Sequence, residues 1–424
     1  MGRGSLVVKE VMKGKPGVKA RLLLPFTICF SSRIAVINME IPVADRISSL
    51  PYNVLEQILR PLPLRDVIRT SILSREWRYK WVEVCSELVF DANVDNRLLK
   101  TIIYQVLLIH QGPLRKFSLL ARNSGLFPDI AHWILFLSKK NVQEFLLRCP
   151  CDSNFHLPSH LFKFHDLRKL ELGGCKFYPP PDFKAFTNLV TLNLRYVTFE
   201  PTCFQTLVSS SPYLECVTLD CCTPFDNFSV DAPALKFFKI SGSTKSICFE
   251  NTPLLEEIIM GPISIEISKS FAVPKPQVTL HNINQLNFKF VYCNVIQQAA
   301  YALHLISNCP NLERLRLMFH MCNSSKHVVE CFIHHLRLQT KPLSALNQLK
   351  RVDVKLMLFS KLEMEFVQYV LLSATALEII CIVTCVKFSQ RGMKMMEKMK
   401  QSSPNVEFIY KEVDYITFMN SEKE

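Results

Sequence analysis

The chain has 424 residues, is 49% hydrophobic and carries a formal net charge of +13. It has no run of about 20 apolar residues, which argues against a membrane-spanning helix. Its sixteen mostly isolated cysteines favour reduced thiols and a nuclear or cytoplasmic protein over a disulfide-bonded secreted one. Almost half of the net charge lies in residues 1–38, and no Arg/Lys run with interleaved aromatics follows, so we expect no nucleic acid partner.

Residues 1–38 form a basic leader, which we expect to be disordered or to precede a functional start at Met39. Its stretch KARLLLPFTICF has the basic-then-apolar order of a signal peptide. The apolar run is short, is broken by Pro25 and is not followed by a small-residue cleavage site, so the pattern disfavours a signal peptide. An amphipathic organelle transit peptide stays an alternative.

Three short helices are predicted between residues 50 and 81. Apolar residues of the first helix fall at i, i+3, i+4 and i+7 and form one stripe: Leu55, Ile58, Leu59 and Leu62. Pro61 is placed in its last turn, a second helix begins at Leu64, and Ser74 is a good N-cap for a third, on which Trp77 and Trp81 share a face. Helices of about ten residues are not stable alone. Another chain or the next domain must therefore complete their apolar face.

One spacing recurs from residue 114 onward: an apolar residue, two variable ones, an apolar one, a variable one and an apolar one. Its eleven copies start at Leu114, Val142, Leu167, Leu189, Leu214, Leu235, Leu255, Ile283, Leu312, Leu349 and Leu377. The intervals between 167 and 255 are 22, 25, 21 and 20 residues, which is the leucine-rich-repeat period. Since one copy cannot bury its apolar face, the copies must stack. The sequence thus predicts an α/β fold, a three-helix unit followed by an irregular leucine-rich-repeat solenoid whose curved parallel sheet carries helices on its outer face.

Strand positions between the buried ones are predicted to be exposed and to contact a partner. They are Lys169, Glu171, Thr191, Asn193, Arg195, Thr218, Asp220, Lys239, Arg314 and Arg316. Their charges are mixed in sign, which favours a protein or peptide over a phosphate backbone.

Motifs for catalysis are absent: the sequence has no Walker loop, GxGxxG, GxSxG or HExxH. Cysteines and histidines gather in one stretch, at Cys322, His327, Cys331, His334 and His335. They lack the CxxC or HxxxH pairs of zinc sites. We therefore expect no metal, no cofactor and no enzymatic activity.

One stretch begins with DRISSLP, continues through the pairs VL and IL to LPLRDVIRTSILSREWRYKW, and ends at Asp91. This stretch resembles the F-box of plant F-box proteins. The segments GPLRKFSLL and LPSHLFKFHDLRKLELGGC resemble the linker and first repeats of the F-box/leucine-rich-repeat group, and LKRVDVKL to SSPNVEFIY resembles its FBD region. The resemblance implies an F-box at 39–91, leucine-rich repeats at 92–340, an FBD region at 341–412 that continues the repeats, and a tail at 413–424.

This resemblance implies a non-catalytic, substrate-recognition subunit of an SCF-type ubiquitin ligase. The F-box would bind a Skp-type adaptor and through it a cullin, and the repeats would bind the target protein. Adaptor-facing residues carried over by position are Leu50, Pro51, Val54, Leu55, Ile58, Leu59, Leu62, Leu64, Trp77 and Trp81. We expect Leu59→Asp with Pro51→Ala to abolish adaptor binding while the solenoid stays folded.

Three alternatives stay open from the sequence. The chain could be a binding scaffold outside any ligase, with the F-box only a pairing module. It could be a secreted or receptor-type repeat protein, which would require oxidised cysteines and a cleaved leader. An enzyme would require a metal bound at the Cys322 to His335 stretch.

Overall fold

The structure is a computed structural model. It describes residues 49–75, 77–90, 95–151, 154–184, 186–222, 225–242, 244–263, 279–291, 296–319, 346–357, 360–385 and 390–414, together with residues 330, 334 and 417. The leader at 1–38 lies outside these residues, as do four members of the Cys/His-rich stretch: Cys322, His327, Cys331 and His335.

Helices form in two places, at the start of the described chain and between strands. The α-helices are α1 Tyr52–Leu59, α2 Leu64–Arg69, α3 Trp77–Val84, α4 Asn96–Ile109, α5 Phe127–Leu137, α6 Pro201–Ser209, α7 Ile296–Ser307, α8 Lys361–Ser373 and α9 Gln390–Ser402. Short 3-10 segments lie at Thr70–Ile72, Ser124–Leu126 and Ser159–Lys163. In the described part of the chain, no helix combines the length and apolar character that a bilayer crossing needs.

The strands are mostly five or six residues long. They are β1 Glu87–Phe90, β2 Lys116–Leu120, β3 Glu144–Arg148, β4 Lys169–Gly173, β5 Lys176–Phe177, β6 Thr191–Arg195, β7 Thr198–Phe199, β8 Cys216–Asp220, β9 Phe225–Val230, β10 Phe237–Gly242, β11 Thr244–Phe249, β12 Glu257–Ile263, β13 Gln285–Val291, β14 Arg314–Phe319, β15 Arg351–Leu356, β16 Ile379–Thr384 and β17 Glu407–Glu412.

Thirteen strands form one parallel sheet in the order β1-β2-β3-β4-β6-β8-β10-β12-β13-β14-β15-β16-β17. The remaining four make two small parallel pairs, β9 with β11 and β5 with β7. Apart from these pairs, each strand lies beside its predecessor in sequence, which is the topology of stacked repeats. The predicted α/β fold is confirmed, with a small helical unit followed by a curved parallel sheet of leucine-rich repeats.

The core follows the predicted spacing. All eleven residues that start the predicted copies are buried, from Leu114 to Leu377. The two apolar strand positions of each copy are buried as well, and the parallel register places Leu170 beside Leu192 and Leu192 beside Val217. Each repeat therefore buries its apolar face against the next one, which stabilises the stack by about 1.5–3 kcal/mol for each fully buried aliphatic side chain.

Two strands at the ends of the sheet were not among the predicted copies. The first, β1, comes from the end of the helical unit, where Leu88 and Phe90 pair with Phe117 and Leu119 of β2. The last, β17, pairs with β16. The helical unit is therefore continuous with the sheet through a strand.

Local details of the helical unit agree in part with the sequence. The hydroxyl oxygen of Ser74 accepts a hydrogen bond from the Trp77 N–H at 3.2 Å, as predicted for an N-cap, while Glu76 lies outside the described residues. The placement of Pro61 within the first helix is wrong, because α1 ends at Leu59. Leu62 likewise lies beyond the helix, so Pro61 removes no hydrogen bond from it.

Candidate partner-binding surfaces

The helical unit is fastened to the first strand of the sheet by polar contacts from α1. The Arg60 Nε–H donates to Oε1 of Glu87 at 2.8 Å, and the Ser86 hydroxyl donates to Oε1 of Glu56 at 2.8 Å. Glu87 begins β1 and Ser86 precedes it. These two contacts fix the direction of α1 relative to the sheet.

The segment that follows α4 forms hydrogen bonds with the C-terminal end of α3. Backbone N–H groups of Gln111 and Gly112 both donate to the Val82 carbonyl, at 3.3 and 3.2 Å. A Cβ on Gly112 would overlap the Glu83 carbonyl oxygen. Gly112 is therefore required for this close approach, and it satisfies a carbonyl group at the end of α3.

A buried histidine lies at the same junction. The His110 side chain is 3% exposed, and its Nε2 is 2.7 Å from the Cys85 carbonyl oxygen, so Nε2 carries the proton. Its Nδ1 has no hydrogen-bond partner. Burial lowers the His110 pKa, nearby Lys140 lowers it further, and the bond to the Cys85 carbonyl opposes both effects. The ring is therefore neutral in the folded protein at pH 7.

Four of the predicted adaptor-facing residues are buried by the chain itself. Leu55, Leu59 and Trp81 are each 2% exposed and Trp77 is 4% exposed, in a cluster that is continuous with the solenoid core. The outcome expected for Leu59→Asp stays a prediction, but a charge at this position would be buried in that core, so the substitution should also disturb the packing of the helical unit. The centre of the predicted stripe holds the helices together and joins them to the sheet.

The edges of the stripe remain accessible. Pro51 is exposed and Ile58 is 38% exposed. The other predicted adaptor-facing residues are half-buried: Leu50, Val54, Leu62 and Leu64.

Two exposed apolar residues of the unit were missed by sequence reasoning. Ile72 is 77% exposed and Leu73 is 56% exposed, at the end of the 3-10 segment that precedes α3. They belong to no helical stripe, and for that reason periodicity does not reveal them. The available signal was two consecutive apolar residues directly before the Ser74 N-cap.

The second candidate surface is formed by the half-exposed residues that alternate with buried ones along each strand. We call this side of the sheet the open face. The register aligns Glu171, Asn193, Thr218 and Lys239 on four neighbouring strands, with Lys169 beside Thr191. The predicted target-binding residues there form a continuous strip, whereas Arg314 and Arg316 lie several strands away on β14.

Several of these polar residues contact each other. Arg148 pairs with Glu171, Nε of Arg195 lies 2.9 Å from Oδ2 of Asp220, and the Ser241 hydroxyl also donates to Asp220. Such partly exposed pairs add little stability, about 0–1 kcal/mol each. They do order the side chains across the strands, so the strip presents a fixed pattern of charges.

Three arginines surround one carboxylate farther along the open face. Asp353 Oδ2 lies 2.8 Å from Nη2 of Arg314 and 3.5 Å from Nε of Arg316, and its Oδ1 accepts from Nε of Arg351 at 2.9 Å. Sequence reasoning named Arg314 and Arg316 but missed Arg351 and Asp353. The signal was present in the copy that starts at Leu349, whose strand residues Arg351 and Asp353 occupy the exposed positions.

Thiols along the solenoid are held in the neutral form. Burial raises the pKa of Cys149, Cys222 and Cys309 to about 12 in each case. A thiol with so high a pKa is a poor nucleophile at neutral pH, because the thiolate is the reactive form.

Comparisons with known proteins bear on both surfaces. The F-box domain family model matches residues 47–86, and the family model described as "FBD-associated F-box protein At5g56370, LRR repeats" matches residues 130–273. The predicted resemblance to plant F-box/FBD/leucine-rich-repeat proteins is therefore confirmed. The first match covers the three helices, and the second begins within α5 and ends after β12.

Relatives in Arabidopsis thaliana carry F-box and FBD in their names, and the first of them also carries LRR repeat. F-box/FBD/LRR-repeat protein At1g13570 is 40% identical over 226 residues, which are 50% of this chain and 53% of that protein. FBD-associated F-box protein At3g52670 is 25% identical over 345 residues, which are 70% of this chain and 82% of that protein. The chain thus matches about half the length of the first relative. Among solved structures, an internalin from Listeria monocytogenes is 10% identical with a TM-score of 0.29, covering 72% of this chain and 96% of that one.

Proposed function

Since this chain carries an F-box and the repeats of FBD-associated F-box proteins, we propose that it is a substrate-recognition subunit of an SCF-type ubiquitin ligase. In this proposal the F-box binds a Skp-type adaptor and through it a cullin, and the open face of the solenoid binds the protein to be ubiquitinated. The observation that carries the proposal is the F-box match over residues 47–86. The matched residues form the helical unit, whose inner side chains are buried by the chain itself while other apolar side chains stay exposed.

The distribution of exposed apolar residues supports the adaptor site. Fifteen large hydrophobic residues of the described chain are exposed, and six of them lie between residues 52 and 89: Tyr52, Ile58, Ile72, Leu73, Tyr79 and Val89. Concentration of exposed apolar side chains in one short segment is typical of a protein-binding site. The adaptor-facing set that we propose is therefore Pro51, Ile58, Leu62 and Leu64, extended by Ile72 and Leu73, with the buried Leu55, Leu59, Trp77 and Trp81 supporting it.

The subunit would act without lowering a chemical barrier by its own side chains. By holding the target and the adaptor at once, it raises the effective concentration of a target lysine near the ubiquitin-charged enzyme. Its rigid connection through β1 suits this role, because the F-box and the target-binding sheet cannot reorient freely. The cysteines of the described residues are free thiols, which fits a reducing compartment, and the complex would accordingly act in the nucleus or cytoplasm.

Co-purification tests the proposal. The full chain is co-expressed with a Skp-type adaptor and a cullin, as wild type and as the double variant Ile72→Asp with Leu73→Asp. We expect wild type to retain both partners and the variant to lose them, because two charges would then face an apolar site. Leu372→Asp is the matched control, since Leu372 is 62% exposed on α8, far along the chain.

Each outcome has a distinct meaning. Full adaptor binding by the Ile72→Asp and Leu73→Asp variant would refute the adaptor site. Adaptor without cullin in the wild-type sample would favour the alternative of a binding scaffold outside any ligase.

A further inference from the structure

Net charge is unevenly distributed over the open face. On the strands of the thirteen-stranded sheet from β1 to β8 the charged residues balance, with four basic and four acidic: Lys116, Arg148, Lys169 and Arg195 against Glu87, Glu144, Glu171 and Asp220. On β13, β14 and β15 five are basic and one is acidic: Lys289, Arg314, Arg316, Arg351 and Lys355 against Asp353. Three adjacent strands therefore carry an excess of positive charge that the strands before them lack.

The centre of this excess is the arginine cluster, defined as Arg314, Arg316, Arg351 and Asp353. The register places Arg314 beside Arg351 and Arg316 beside Asp353, so the four side chains occupy adjacent positions on two strands. The arginine side chains are 34%, 34% and 40% exposed, and Asp353 is 19% exposed. A single carboxylate lies beneath three partly exposed guanidinium groups, which leaves a net charge of +2 at the surface.

Guanidinium chemistry defines what this cluster can bind. Each guanidinium carries several N–H donors in a planar fork that matches the two oxygens of a carboxylate. Asp353 engages only part of this donor set, through contacts of 2.8 to 3.5 Å. A second carboxylate can approach from the exposed side and bind by charge-assisted hydrogen bonds.

An apolar strand borders the arginine cluster. The positions of β16 on this side of the sheet are Ile379 and Val383, which are half-buried, and Cys381, which is 5% exposed. The register sets Ile379 beside Arg351 and Cys381 beside Asp353. At the end of these strands Met318 and Met357, both buried, form a small apolar cluster apart from the main core, and the partly buried Val383 packs against it. Two half-buried apolar side chains, Ile379 and Val383, thus lie one strand spacing from the arginine cluster.

We propose that the arginine cluster and β16 together bind an extended acidic segment of a protein, with an apolar side chain two residues from the acidic one. The spacing follows from geometry: side chains two residues apart on an extended chain point to the same face and lie about 6.6 Å apart. The cluster residues on β15 and β14 are about 5 and 10 Å from β16, one and two strand spacings. This inference rests on the proposed function, in which the open face holds the target protein, and it assigns that target's chemistry.

The same observations disfavour a nucleic acid as the occupant. A phosphate backbone is tracked by a long basic stripe, and single strands add stacking on aromatic rings. Here the positive excess spans three strands, and the open-face positions described on β13 to β17 carry no aromatic side chain. An acidic peptide needs only the short cationic site and the neighbouring apolar strand.

Peptide selection on the full chain provides the test. A phage library of random twelve-residue peptides is panned on the wild-type chain and on the double variant Arg316→Glu with Arg351→Glu. We expect peptides rich in Asp and Glu, with an apolar residue two positions away, from wild type alone. A synthetic copy of one such peptide should bind the variant at least about tenfold more weakly, and should bind wild type more weakly as salt is raised.

The control reverses two charges on the balanced strands. Lys116→Glu with Arg148→Glu makes the same change in charge on the same face, on β2 and β3, at two residues outside the predicted target-binding set, and should leave binding of the acidic peptide within about twofold. If the glutamate variant fails to fold, Arg316→Gln with Arg351→Gln removes the positive charge without adding a repulsive one, and the same loss is expected.

Selected peptides without acidic enrichment, or acidic peptides that bind the double variant as tightly as wild type, would overturn the proposal. So would a twelve-nucleotide single strand that binds wild type more tightly than the acidic peptide does and loses binding in the variant. Adaptor co-purification is measured on the same samples. If the wild-type chain selects no acidic peptides but still binds the adaptor, this inference alone is refuted, whereas loss of adaptor binding by wild type refutes the proposed function.

Discussion

Leu59 and Ile58 are neighbours on α1, yet the structure gives them opposite roles. Leu59 is 2% exposed within the main core, whereas Ile58 is 38% exposed. We predict that Leu59→Ala lowers the free energy of unfolding of the N-terminal end by about 2–5 kcal/mol, the usual cost of a Leu-to-Ala cavity. For Ile58→Ala we expect roughly 1 kcal/mol, because part of the side chain is already hydrated and alanine favours the helix.

The two substitutions should affect adaptor affinity in the reverse order, with the larger loss for Ile58→Ala. Full burial of an isoleucine contributes about 1.5–3 kcal/mol, so covering the exposed 38% of Ile58 adds roughly 0.6–1.1 kcal/mol. Since about 1.4 kcal/mol corresponds to a factor of ten, Ile58→Ala should weaken adaptor binding about three- to sixfold. Leu59→Ala should leave the affinity of the folded fraction within about twofold.

Tryptophan fluorescence during urea unfolding measures the stability half of this prediction. The chain has three tryptophans, Trp77, Trp81 and Trp133, all in the first third of the sequence, so the signal reports the end that carries α1. A loss of 2–5 kcal/mol should move the Leu59→Ala midpoint by on the order of 1 M. Equal midpoint shifts for the two variants, or a larger shift for Ile58→Ala, would refute the assignment of Leu59 to the interior.

Three further predictions concern single residues. Gly112→Ala should destabilise the chain by about 1–3 kcal/mol, because a Cβ there overlaps the Glu83 carbonyl and the backbone must shift; thermal unfolding measures this. His110→Gln should flatten the pH dependence of the urea midpoint below the ordinary histidine pKa of 6.5. Burial lowers the folded-state pKa of His110, so the unfolded chain binds more protons in that range and wild type loses stability as the pH falls. Ser360→Ala should cost about 0.5–2 kcal/mol, since Ser360 caps α8 in a capping box with Glu363, and hydrogen exchange of the α8 amides measures it.

Each of these predictions has a control. Gly125→Ala serves for Gly112, because a Cβ at Gly125 meets side-chain atoms of Asn96 and Asn123 and no backbone; equal effects would contradict the argument from close approach. Parallel pH curves for wild type and His110→Gln would show that His110 does not titrate on unfolding. Ser360→Thr keeps a capping hydroxyl, and protection of α8 that is unchanged in Ser360→Ala would contradict the capping role.

The repeat was predictable because its information is local. Each copy carries its own apolar spacing, and alternation along a strand decides which residues face the core. Leu167, Leu170 and Leu172 therefore predicted their burial without reference to the rest of the chain. The end strands were harder to predict: Leu88 and Phe90 of β1 were assigned to the helical unit, and only the pairing with β2 places them in the sheet.

The sequence by itself determined the repeated strands, the three short helices and the resemblance to plant F-box proteins, because each depends on residues close together in the chain. Only the tertiary structure decided which half of the apolar stripe is used inside the chain, where Leu55 and Leu59 pack into the core while Ile58 stays accessible. It also brought Arg314 to Asp353, across the irregular interval of 37 residues between their two copies. Periodicity gives the face on which a residue lies, but contacts between strands depend on register across connections of variable length, and packing against neighbouring strands sets that register.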